Sequence, residues 1–107
     1  MTAGRPIGSM VRQNIVEILH FMKRAHGYDL YKVYLDLFPH VSLRLIYYHL
    51  KKGVDTHEFV VEKVENEKGD YSWGETAEKI YYALGNQANP IILPQVKKYF
   101  EKKKQLH

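Results

Sequence analysis

The chain has 107 residues, 45% of them hydrophobic, which allows one folded domain with a single modest core. It contains no cysteine, which excludes disulfides and thiolate metal sites, and its net charge of +4 favours an anionic partner. No apolar run is long enough to span a bilayer and residues 1–10 lack the apolar core of a signal peptide, so we expect a cytoplasmic protein without a membrane partner.

The N-terminal part of the chain predicts an arm followed by a helix. Residues 1–8 combine glycine, proline and arginine, which indicates a flexible basic arm, and Ser9 is then a candidate N-cap. Apolar residues recur at three- and four-residue steps, the period of an amphipathic helix, at Val11, Ile15, Ile18, Leu19 and Met22. We expect this helix to end near Lys23, with His26 and Gly27 as its stop.

Two further helices are predicted close together. Residues 28–38 are apolar on much of the helical circumference, and Pro39 ends this second helix. After a short turn, Ser42 is the expected N-cap of a third helix, whose core-facing residues are Leu43, Ile46 and Leu50. Two helices joined by so short a turn are typical of a helix-turn-helix. The sequence leaves open whether the third helix ends at Gly53 or continues through it.

The pattern then changes to that of a β-hairpin. Residues 59–64 are rich in β-branched side chains and predict a strand, residues 66–70 a turn, and residues 71–73 a short returning strand. A fourth helix is predicted over residues 74–85 and a last helix over about residues 93–106.

These elements together predict a mainly α fold with a small β-hairpin, in the α+β class. We expect a winged helix-turn-helix over residues 9–85 and an added C-terminal helix, a candidate dimerisation element, within residues 86–107.

The outward face of the third helix is the strongest functional signal. A rotation of about 100° per residue turns Arg44, Tyr48 and Lys52 away from the core, and no acidic residue occurs between Ser42 and Val54. A helix exposed only to water more often mixes both signs of charge, although a solvated helix of a small α-protein is the alternative interpretation. The pattern predicts binding of double-stranded DNA in the major groove. The residues expected at DNA are Ser42, Arg44, Leu45, Tyr48, Lys51, Lys52 and, in the predicted wing turn, Lys68.

Two stretches of the sequence resemble a known family. The segment Gly-Tyr-Asp-Leu-Tyr at residues 27–31 and the segment Val-Ser-Leu-Arg-Leu-Ile-Tyr-Tyr-His-Leu-Lys-Lys at residues 41–52 resemble the PadR-like winged helix-turn-helix transcriptional regulators. The resemblance covers about residues 10 to 85. It implies a dimeric DNA-binding repressor-type protein whose C-terminal helices make the dimer contact, with Ser42, Arg44, Tyr48 and Lys52 at DNA.

The C-terminal apolar residues predict a homodimer. Its expected interface residues are Ile92, Val96, Tyr99 and Phe100, and folding back of the same helix onto its own chain is the alternative.

The sequence carries no signal for catalysis. The six histidines form no pair at a metal-ligand spacing, and no nucleophile or phosphate-loop motif occurs, so we expect neither an enzyme nor a metal or cofactor site. A protein-interaction winged helix, RNA binding and non-specific chromosomal binding stay open as alternatives. The target sequence and any small-molecule effector cannot be deduced.

Overall fold

The computed structural model describes residues 7–71 and 74–105, and within them the side chains of residues 10–62 and 79–104. This part of the chain forms four helices and three strands, which are α1 (Ile7–Met22), β1 (Arg24–His26), α2 (Gly27–Leu37), α3 (Leu43–Asp55), β2 (Phe59–Tyr71), β3 (Gly74–Leu84) and α4 (Pro94–Gln105). The strands make one antiparallel sheet in the order β1-β3-β2. The predicted fold class, mainly α with a small sheet in a winged helix-turn-helix, is confirmed.

The first helix begins earlier than the sequence pattern indicates. α1 starts at Ile7, so its first two residues fall within the segment predicted to be an arm, and Ser9 lies inside the helix rather than at its N-cap. Residues 1–6 lie outside the described residues.

The wing is longer than predicted. β2 continues through residues 66–70, where a turn was expected, and β3 occupies residues 74–84, where the prediction of a fourth helix is wrong. Because β3 is the central strand, its backbone pairs with β2 on one side and with β1 on the other, as at Arg24 opposite Ala83. These two ladders outweigh a helical pattern that is only local. Of the predicted returning strand, Tyr71 ends β2, and residues 72–73 lie outside the described residues.

The core lies between the first three helices and the base of the sheet. Its fully buried side chains include Ile15, Ile18, Leu19, Leu30, Ile46, Leu50 and Phe59. α3 continues through Gly53, and only glycine fits at this position because a Cβ there would overlap the ring of Phe59. The core thus joins the last turn of α3 to the first residue of β2.

The C-terminal helix packs onto its own chain. Val96 is fully buried, the ring of Phe100 stacks on Phe21 with centroids 5.3 Å apart, and the hydroxyl of Tyr99 donates to the carboxylate of Asp36 at 2.7 Å. No helix in the described part of the chain has both the length and the apolar character needed to cross a membrane.

A buried carboxylate holds the segment that leads into α4. Glu17 of α1 has no exposed surface and accepts hydrogen bonds from the backbone N–H groups of Ile91, Ile92 and Leu93 at 2.8, 2.9 and 3.2 Å. Ile92 has a φ of 60°, which is rare for a β-branched residue. The bonds to Glu17 compensate for this strain and fix the start of α4 against α1.

Candidate nucleic-acid interface

The third helix begins at the residue that the sequence indicates. Ser42 is extended, with φ −80° and ψ 155°, and its Oγ accepts a hydrogen bond from the backbone N–H of Leu45 at 3.1 Å. This N-cap satisfies one of the free N–H groups at the helix start. The cap fixes the position along the chain at which α3 begins, and therefore which side chains point outward.

The outward face of α3 is basic and aromatic. Arg44, Tyr48, Lys51 and Lys52 are all exposed, with 56% of Tyr48 accessible. Among the described side chains, none of the three cations forms an ion pair with a carboxylate. Four of the predicted DNA contacts are thus brought together on one accessible face with its positive charge unneutralised.

The remaining predicted contacts differ in position. Ser42 is exposed beside Arg44, whereas Leu45 is half-buried and packs against the core. With Arg44 and Tyr48 they line a shallow hollow of about 440 Å³ at the start of α3. Lys68 lies on β2 opposite Thr76 rather than in a turn, and its side chain is outside the described residues.

Tyr47 of α3 is 44% exposed. Its ring lies against Gly27, the first residue of α2, where a Cβ would come within 2.3 Å of the tyrosine Cε1. Burial, and after it the neighbouring Tyr47, raise the pKa of Tyr82. Tyr47 therefore packs α3 against the start of α2, and it adds aromatic surface beside Tyr48.

A polar network joins α3 to the other elements below this face. Nε of Arg12 donates to Oε1 of Glu58 at 2.8 Å, and Nη1 of the same guanidinium lies 3.2 Å from Nδ1 of His49. His49 is buried, and its Nε2 has no hydrogen-bond partner among the described residues. Burial and then Arg12 lower the pKa of His49, against an opposing effect of Glu58.

Sequence reasoning missed Arg12 and Glu58, because they lie 46 residues apart in the chain. Nothing local distinguishes an arginine or a glutamate that will meet a buried histidine from one that faces water. The only available signal was His49 itself, which falls at the border between the apolar and the polar side of α3.

The predicted dimer residues occupy two environments. Val96, Tyr99 and Phe100 are engaged within the chain as described above, whereas Ile92 is 38% exposed and its neighbour Ile91 is 63% exposed. The exposed apolar surface is therefore at the start of α4 rather than along its length. No group of three or more His, Asp or Glu side chains that could hold a metal ion occurs in the described part of the chain.

Comparisons with known proteins give likenesses to solved structures only. No protein-family model and no curated protein matches this chain. Solved structures do match, and one is the crystal structure of a PadR family transcription regulator from hypervirulent Clostridium difficile, with 21% sequence identity over 85% of this chain and 84% of that chain and a TM-score of 0.43. Because this identity and this TM-score are both low, the function of the basic face is inferred from the residues of this chain alone.

Proposed function

We propose that this chain binds double-stranded DNA as a sequence-specific transcriptional regulator, with α3 in the major groove. The observation that carries the proposal is the unpaired basic face of Arg44, Lys51 and Lys52 on the second helix of a helix-turn-helix. An α-helix fits the width of the major groove, and its phosphate walls attract such a face. The exposed Tyr48 adds a donor and an aromatic surface to the same side.

The residues of this face suit different contacts. Arg44 lies in the first turn of α3, the part of a recognition helix that approaches base edges, and arginine to guanine is the commonest specific contact. Lys51 and Lys52 lie near the other end, where we expect them to follow the phosphates and to set affinity rather than sequence. Tyr48 is suited to donate to phosphate, and Lys68 is the proposed wing contact.

The experiment that tests this proposal is fluorescence anisotropy with duplex DNA over a series of salt concentrations. The parent affinity should fall steeply with salt, and Lys52→Ala should reduce the slope of log affinity against log salt by about one unit. Arg44→Ala should weaken binding to a selected site about 5- to 150-fold and relax the preference at one base pair. Lys98→Ala removes an equally exposed lysine from α4 and is the matched control, expected to leave the slope unchanged.

The same assay separates the alternatives. Equal affinity for every duplex would indicate a non-specific chromosomal protein, and preference for an RNA duplex would indicate RNA binding. Absence of salt-dependent binding to any duplex refutes the proposal and leaves the protein-interaction module as the better hypothesis.

A homodimer is part of the proposal, because a twofold axis would present two α3 helices to two half-sites of the DNA. Of the proposed interface residues, Ile92 is accessible beside the still more exposed Ile91, and Tyr99 and Phe100 are partly buried. Sedimentation equilibrium tests this: Ile91→Lys should shift a dimeric parent towards monomer. A parent that stays monomeric at the concentrations used for DNA binding refutes the dimer.

A further inference from the structure

We infer that Arg12 is a positioning residue for the proposed DNA-binding face, because it holds α3 and the base of the wing in one fixed relation through His49 and Glu58. This inference rests on the proposed function but concerns a residue that lies outside the basic face. Arg12 is on α1, between Val11, which is buried, and the half-buried Gln13. α1 packs against α2, α3 and α4, so it is a rigid support for the side chain.

The geometry of the guanidinium makes the connection stiff. The Arg12 side chain is 18% exposed and the Glu58 side chain 23% exposed, so neither is freely solvated. Because the guanidinium is planar, the direction of Nε towards Glu58 at 2.8 Å also fixes the direction of Nη1 towards His49 at 3.2 Å. A lysine has a single ammonium on a flexible stem and cannot reproduce two such directions.

Glu58 lies where the end of α3 and both long strands of the wing meet. Its backbone N–H donates to the carbonyl of Gly53 in α3 at 2.9 Å, and its own carbonyl accepts from Gly85, directly after β3, at 2.8 Å. The hydroxyl of Thr56 lies 2.6 Å from the carboxylate oxygen that Arg12 contacts. The next residue, Phe59, is the first of β2. A displacement of Glu58 would therefore move the wing relative to α3.

His49 connects the same guanidinium to the basic face. It directly follows Tyr48 and precedes Lys52 by three residues, so a shift of its backbone moves both. Nδ1 accepts from Arg12 only when this nitrogen carries no proton, which requires a neutral ring. The groups that face His49 in the described part of the chain are Arg12 from α1, Glu58 from the turn before β2, and the ring of Tyr48, with centroids 5.0 Å apart.

Protonation of His49 would place an N–H against the guanidinium. Burial and then Arg12 lower the pKa of His49, so this charge would appear only at a pH below the ordinary 6.5 of a histidine. The expected effect on DNA affinity has an unusual sign. A histidine beside phosphate ordinarily strengthens binding when it gains charge, whereas charging of the buried His49 should disorder α3 and weaken binding.

The test uses the full chain and two measurements. The first is the set of residual dipolar couplings of the free protein, which reports the orientation of α3 relative to β2 and β3. In the parent, one alignment tensor should fit the couplings of α3 and those of the two wing strands. The same should hold for the control Arg24→Lys, which replaces an exposed arginine on β1. In Arg12→Lys and Arg12→Ala, no single tensor should fit both the helix and the wing. A single tensor that fits the helix and the wing in all variants overturns the positioning role, whether or not the protein binds DNA.

The second measurement is the duplex affinity between about pH 5 and 8, at pH values where circular dichroism shows each variant to be folded. As pH decreases, the parent should lose affinity relative to His49→Gln, in which every other histidine is unchanged. Arg12→Lys should weaken binding about 2- to 30-fold, the range seen for residues that act without touching the ligand. An affinity of the parent that follows the same pH dependence as that of His49→Gln overturns the inference, whereas absence of duplex binding at every pH refutes only the proposed function.

Discussion

Replacement of Glu17 by glutamine should release the C-terminal helix from the rest of the chain. The two carboxylate oxygens have separate partners: Oε1 accepts from the backbone N–H groups of Ile92 and Leu93, and Oε2 accepts from Ile91 and from the amide of Gln13. In Glu17→Gln one oxygen remains and the other becomes an NH₂ group that faces two donors. Two of the four hydrogen bonds to the carboxylate are therefore lost, and their part-buried donors no longer have this acceptor.

The expected loss follows from these contacts. A hydrogen bond to a charged group contributes about 1.5–3 kcal/mol, so two of them correspond to about 3–6 kcal/mol. A domain of this size has an unfolding free energy of about 5–15 kcal/mol, so the substitution removes a large fraction of it. Because three of the four bonds hold residues 91–93, we expect α4 to detach before the remaining core unfolds, which limits the loss seen in global unfolding.

Urea unfolding and amide hydrogen exchange test this prediction together. Glu17→Gln should lower the unfolding free energy by at least about 2 kcal/mol, and the amides of α4 should lose more protection than those of α2. Glu101→Gln makes the same chemical change at an exposed position of α4 and should stay within about 0.5 kcal/mol of the parent. If Glu17→Gln behaved like Glu101→Gln, the carboxylate would not be what holds α4.

Three further predictions concern other contacts. Gly53→Ala should destabilise the fold by about 1–3 kcal/mol in urea unfolding, although alanine favours helices, because its Cβ would overlap the ring of Phe59; a loss that Phe59→Leu did not reduce would contradict this. The pKa of His49 in the folded state is below its ordinary 6.5, so the unfolded state takes up the proton first as pH decreases. The contribution of His49 to the unfolding free energy should therefore fall from about pH 6.5 to the folded pKa and level off below it. His49→Gln should lack this slope in urea unfolding. Burial, and then the hydrogen bond and charge of Asp36, raise the pKa of Tyr99 to about 12. NMR of labelled tyrosines should therefore show the ionisation midpoint of Tyr99 above the ordinary 10 of a tyrosine, and Asp36→Asn should lower that midpoint towards 10. A midpoint unchanged in that variant would exclude the carboxylate as a cause.

The sequence by itself determined the helical half of the fold and the composition of the basic face. Apolar residues at helical spacing identified α1, α2 and α3, and the cap at Ser42 located the start of α3. Once the start and the buried side of a helix are known, the helical rotation fixes which residues point outward. Arg44, Tyr48 and Lys52 were therefore predictable as exposed neighbours without knowledge of the tertiary fold.

The tertiary structure decided the features that depend on partners distant in the chain. Residues 74–84 became a strand because β1 and β2 pair with its two edges. The last turn of α3 requires Gly53 because the ring of Phe59 occupies the space of a side chain there. Arg12 and Glu17 appear in the sequence as ordinary charged residues of a helix, yet their partners lie 46 and 74 residues away. Local periodicity reports the side of a helix that is buried, whereas only the folded chain determines which backbone and side-chain groups meet there.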